Sequence, residues 1–136
     1  MSFAESFEDL KIWRGSRAST NEVYSAMRDC KDYAFRDQIQ RAATSVMNNI
    51  AEGCERRTKK DFAHFLDLAK GSAGEVRSML YLGEDRGYII AKAAEPLRAE
   101  YKDLSKSIGA LAASLRRQQY QSSFAGCNES QVTGQK

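Results

Sequence analysis

The chain has 136 residues, enough for one continuous core and too few to ask for a second domain. Its 21 Lys and Arg against 18 Asp and Glu leave a formal charge of +3, which permits nucleic acid without demanding it. No stretch approaches the ~20 apolar residues that cross a bilayer. Glu5, Glu8 and Asp9 interrupt the pattern of a secretory leader, so a cytoplasmic chain that does not engage membranes is expected. Cys30, Cys54 and Cys127 are odd in number and widely spaced with no C-x-x-C pair, which argues against a disulfide framework or a zinc site.

After a short lead-in over residues 1–8, the spacing of Leu10, Trp13, Thr20, Tyr24 and Met27 predicts a first helix from about Asp9 to Met27. Arg17 falls inside that arc, its stem along the core and its head outward. A polar link, residues 28–32, leads to a second helix over about Tyr33–Glu52, in which Phe35, Ile39, Ala42, Val46 and Ile50 form one apolar face. Gly53 is expected to end it in the left-handed conformation. Thr58, with Asp61 three residues on, reads as the cap of a third helix, about Lys59–Arg86, that stops at Gly87. Its core face is Phe62, Leu66, Ala69, Ala73, Val76 and Leu80. Gly71 and Gly74 each cost roughly 1 kcal/mol against Ala in mid-helix and ask for a packing reason. Pro96 should start or bend the fourth helix, which carries Leu97, Tyr101, Leu104, Ile108, Leu111 and Leu115. From about residue 119 the pattern dissolves into Gln, Ser, Gly and Asn, and a disordered tail over 119–136 is expected. Four helices with short links imply an all-α, antiparallel up-down-up-down four-helix bundle over residues 1–118.

The third helix carries a second row beside its core face: Leu68, Gly71, Glu75, Met79 and Leu82. An apolar arc widened in this way either faces the second or fourth helix off-centre or meets another subunit, and the latter is the reading adopted. The second helix has a matching polar edge of Gln38, Arg41, Ser45, Asn49 and Glu52. Antiparallel register around the turn near Glu55 brings Arg41 within reach of Ser72 and Glu75, so an Arg41–Glu75 ion pair is expected there.

At these residues the chain resembles a known family. Gln38-Ile39-Gln40-Arg41-Ala42, Asn49-Ile50-Ala51-Glu52-Gly53, Arg56, Phe62, Phe65-Leu66, Ala69 and Gly71-Ser72 with Glu75 are similar to bacterial four-helix bundle proteins, some encoded in intervening sequences of 23S ribosomal RNA genes. Phe7-Glu8-Asp9-Leu10-Lys11-Ile12-Trp13 and Gly87-Tyr88-Ile89 extend the match to about residues 7–115. The resemblance implies a four-helix protomer, a ring-shaped homopentamer, and kinship with accessory proteins of diversity-generating retroelements, which bind nucleic acid and a reverse transcriptase. It implies no catalytic activity. The chain departs from the pattern at residues 28–34, where the family usually carries proline, and in its polar tail.

The same residues carry no familiar catalytic or cofactor pattern. His64, the single histidine, falls on the outer face of the third helix, and no Glu-x-x-His occurs. No phosphate-binding glycine run is present, so Gly71 and Gly74 are read as packing positions. Arg56 and Arg57 are expected to lower the pKa of Cys54, with no histidine nearby in sequence to make it a nucleophile. No enzyme, metal, cofactor or small-molecule substrate is expected. Arg56, Arg57, Lys59, Lys60, Arg116 and Arg117 gather at one end of the bundle as a candidate rim for RNA or DNA, set against Glu52, Glu55 and Asp61. The favoured function is a homo-oligomeric scaffold or accessory protein; the alternative is a nucleic-acid-binding protein acting through that rim.

Overall fold

In a computed structural model the chain forms a single 3-10 turn, Phe7–Asp9, and four helices: α1 (Lys11–Ala26), α2 (Tyr33–Cys54), α3 (Lys59–Asp85) and α4 (Ala91–Gly134). The structure describes residues 6–134 in backbone and 6–120 in side chains. Gln119 and Tyr120 continue α4; the rest of the expected disordered tail lies outside the residues described in full. No strand occurs among the described residues.

Local chemistry explains the helix ends. The Asp32 carboxylate accepts from the Phe35 N–H (3.1 Å) and starts α2. The Thr58 hydroxyl accepts from Asp61 N–H (3.1 Å) and starts α3, as expected from the spacing. At the end of α3, Gly87 takes φ 76°, while Tyr88 N–H donates to Gly83 O (2.8 Å) and Gly87 N–H to Glu84 O (3.1 Å). That pair of bonds satisfies two of the last carbonyls and needs a residue free to be left-handed.

Two expected boundaries are corrected. Gly53 does not end α2: it lies buried inside the helix, and Gly87 is the one described residue with positive φ. The reason for glycine at 53 is contact, since a Cβ there would stand 2.8 Å from Phe65 Cβ and 2.9 Å from Phe62 Cδ1. Pro96 does not start α4, which begins at Ala91 and carries the proline in its second turn. The amide that proline lacks is thus one hydrogen bond near the start of a long helix, where the loss is smallest.

The contacts run in reversed order between neighbours. Ser45 meets Ser72 and Gly53 meets Phe62, while Phe35 reaches Gly83. Arg116 pairs with Asp67 and Arg98 with Glu84. Gly15 faces Leu104 as Ser19 faces Glu100. On these contacts α2/α3, α3/α4 and α1/α4 are antiparallel. Among the described residues α1 does not pack on α3, nor α2 on α4, so each of these pairs lies across a diagonal of the bundle. The apolar faces of α2, α3 and α4 meet in one core whose fully buried members include Ile39, Ile50, Leu66, Leu80, Tyr101, Ile108 and Leu115.

The face of α1 is different. Its buried residues are Ser16, Ser19, Thr20 and Val23, followed by Met27. The hydroxyls are satisfied locally: Ser16 donates to Trp13 O (2.9 Å), and Thr20 to Ser16 O (2.7 Å) and Ala43 O (3.2 Å). Tyr24, expected in the core, is 46% exposed, because the buried arc centres on Thr20, Val23 and Met27 and leaves it about a quarter turn away. The Arg17 guanidinium lies 5.7 Å over the Trp13 ring, so its stem follows the core edge as expected.

Candidate functional site

The polar edge of α2 and the outer row of α3 fall on one face of the bundle. At its centre the Ser45 and Ser72 hydroxyls share a hydrogen bond of 2.9 Å, and Asn49 Nδ2 donates to both Ser45 O and Ser45 Oγ at 2.9 Å. Gln38, Arg41 and Glu75 line one shallow surface groove with Ala34 and Asp37. The expected Arg41–Glu75 ion pair does not form: the two face the same groove without coming within 4.0 Å. Ser72, one turn before Glu75, takes up the cross-helix polar contact through its hydroxyl. Glu52 pairs instead with Arg56 on the next turn (3.1 Å).

The outer row of α3 divides. Met79 is 7% exposed and belongs to the protomer's own core, which corrects its assignment to an outward seam. At 100° per residue Met79 lies on the α2 side of the row, beside Ser72, which explains its burial. Leu68 and Leu82 remain 44% and 49% exposed, and Gly71 and Glu75 are exposed between them. A Cβ placed on Gly71 or Gly74 would meet nothing within 4 Å, so the protomer itself supplies no packing reason for either glycine.

The basic rim is partly engaged. Arg56 is held by Glu52 and lies 4.7 Å over the Phe65 ring. Arg116 is bound through two nitrogens to the Asp67 carboxylate, which holds Asp67 below the usual carboxylate range. Arg57, Lys59, Lys60 and Arg117 make no ion pair among the described residues. Cys54, expected to acidify beside Arg56 and Arg57, does the reverse. Partial burial pushes its thiol up, helped by the charges of Glu55, Glu8 and Asp9. With Arg56 turned onto Glu52 and Phe65, the acidic start of the chain dominates there. His64 is exposed and packs edge-on against Phe65, with ring centroids 5.7 Å apart.

Two features escaped the sequence. The first joins the two connections at the far end: Tyr88 OH donates to the Asp32 carboxylate (2.7 Å) while that same carboxylate caps α2. The second is a groove of about 360 Å³ between α1 and α4, floored by Ile12, Gly15, Ala18 and Leu104 and edged by Glu22, Glu100 and Asp103. Ser19 Oγ donates to Glu100 (3.2 Å), and loss of water together with the adjacent Glu100 raises the pKa of Glu22. Gly15 was the available signal, since a mid-helix glycine often marks close approach; its Cβ position lies 3.3 Å from Leu104 Cδ2. Behind the groove the buried Tyr101 hydroxyl has no hydrogen-bond partner of normal geometry, and burial pushes its phenol well above the ordinary range, partly offset by Thr20.

No group of three or more His, Cys, Asp or Glu placed to hold a metal ion occurs among the described residues, and none of their helices is long and apolar enough to cross a membrane. The fold and its faces define an all-α four-helix bundle whose distinctive surfaces are helix faces rather than a closed cavity. Residues 8–110 match the family model described as 23S rRNA-intervening sequence protein, and the chain belongs to that family. A crystal structure of a protein of unknown function from the S23 ribosomal protein family of Bacteroides thetaiotaomicron is similar in fold. The TM-score is 0.70 at 22% identity, covering 74% of this chain and 97% of that one. No protein of curated function matches the chain.

Proposed function

We propose that the protein is a non-catalytic scaffold or accessory protein that works as a homo-oligomer, its copies meeting through the outer face of α3. One observation carries this reading: Leu68 and Leu82 stand half-exposed on either side of Gly71, a helix-interior glycine that nothing in the protomer requires. A second chain against this face would bury both leucines and use the close approach that Gly71 permits. Leu68, Gly71, Glu75 and Leu82 are the interface residues in this reading; the Ser45–Ser72–Asn49 network fixes the register of the helix pair behind them. The family resemblance supports a closed ring, with five copies the expected number.

Light scattering on the intact chain tests it. The expected mass is a multiple of 15.2 kDa, falling in Leu68→Ser/Leu82→Ser while the helical circular dichroism is kept. A wild-type particle of single-chain mass overturns the proposal.

A second reading, binding of RNA or DNA at the rim, is favoured by the absence, among the described residues, of ion pairs at Arg57, Lys59, Lys60 and Arg117. Repetition of the rim in an oligomer would multiply the cations acting on one polyanion. Binding to a structured RNA at ~50 mM salt, with a steep salt slope that flattens in Arg57→Ala/Lys60→Ala, is the expected result. Absence of binding at that salt removes this reading.

A further inference from the structure

The α1–α4 groove is unlike the rest of the surface. In a chain that is positive overall, its lining carries three carboxylates, Glu22, Glu100 and Asp103, against one ammonium, Lys11. Its floor is apolar and smooth: Ile12, Ala18 and Leu104 line it, and glycine at 15 leaves no side chain between the helices. Among the described residues none of these carboxylates forms an ion pair, and Lys11 is the one cation in the lining. Glu100 accepts the Ser19 hydroxyl, a neutral donor, and its other side-chain partner is the Glu22 carboxyl rather than a cation.

We propose that this groove docks a basic amphipathic segment of a partner protein, its apolar side on Ile12, Ala18 and Leu104 and its Lys or Arg side chains on Glu22, Glu100 and Asp103. Charge selects this occupant. Carboxylates flanking an apolar trough favour a helix face that alternates aliphatic and cationic residues, and they repel a nucleic acid backbone. The α3 face of a second copy would bring Glu75 and Asp37 with Arg41 from the groove they share, and so offers no surplus of cations to the three carboxylates. The groove and the α3 seam are therefore separate surfaces for separate partners. On the square of helices the groove lies away from the α2–α3 face, so both can be occupied at once. The inference stands independently of self-association.

The test uses the full chain and a fluorescent synthetic helix of Leu, Ala and Lys, with a Leu, Ala and Glu helix as control. Anisotropy is expected to rise with the cationic peptide alone, and less at higher salt. Glu22→Gln/Glu100→Gln/Asp103→Asn is expected to weaken binding by about tenfold or more. Ala18→Lys keeps the carboxylates but sets an ammonium on the floor, and it should weaken binding similarly; circular dichroism confirms that both variants fold. Leu68→Ser/Leu82→Ser should bind as the wild type does. Absence of binding, or binding unchanged in both groove variants, overturns the proposal. So does loss of binding in the α3 variant, which would place the peptide there. A change of particle mass in the triple variant would show a second copy covering the groove, and it too overturns the proposal.

Discussion

Gly53 and the Gly71/Gly74 pair sit on the same pair of helices and have opposite explanations. At Gly53 the protomer closes on itself: α3 presses Phe62 and Phe65 to where a Cβ would be. At Gly71 and Gly74 the space is open, and the neighbours along the face of Gly71 are half-exposed leucines. A glycine inside a helix lowers its stability wherever it stands. The first is explained by an intramolecular contact, whereas the second pair has no explanation until something outside the protomer is added. The comparison thus separates what holds the bundle together from what the bundle offers to others.

The sharpest way to break this comparison is Gly53→Ala. The new methyl meets backbone and ring-bearing carbons rather than the end of a flexible chain, so α2 and α3 must separate. Overpacking of this kind is expected to destabilise by about 1–3 kcal/mol, outweighing the gain in helix propensity, as read by urea unfolding. A neutral or stabilising result would show that the helix pair is looser than its geometry. Gly71→Ala and Gly74→Ala should move the other way. Each is expected to stabilise the dilute protomer by about 0.5–1 kcal/mol, and Gly71→Ala also to lower particle mass in light scattering. Stabilisation without loss of mass would move the interface elsewhere.

The smallest expected effect lies at the opposite end of the bundle. Tyr88 OH, and then the Phe35 N–H, hold the Asp32 carboxyl below its ordinary range. A folded-state pKa below the unfolded one gives stability that is present above the unfolded value, ~3.9, and is lost as pH falls through the lower, folded one. The thermal midpoint should therefore decline more steeply with acid in the wild type than in Asp32→Asn. Parallel declines would mean that the Tyr88–Asp32 link contributes nothing to stability.

Much of the bundle was legible before any coordinates. The rows Phe35–Ile50, Phe62–Leu80 and Leu97–Leu115 repeat at helical spacing, and that period is a local property which survives in any tertiary setting. The Thr58 cap and the stop at Gly87 were legible for the same reason, since each is settled within about one turn of the chain. Gly53 was misread because a glycine at a helix end and a glycine at a helix contact look alike in one dimension. Met79 was misplaced because a wheel gives its angle but not the neighbour that covers that angle. Arg41 and Glu75 were expected to pair; they share one groove, but the ion pair does not form.

The sequence by itself determined that this chain is four amphipathic helices, because the spacing of apolar side chains along each one follows from backbone geometry alone. Only the tertiary structure decided which glycines touch a neighbour, which cations are free, and that carboxylates from α1 and α4 meet across an apolar groove. Those properties depend on distances between residues as far apart in the chain as Ser19 and Glu100, and no local pattern encodes such distances.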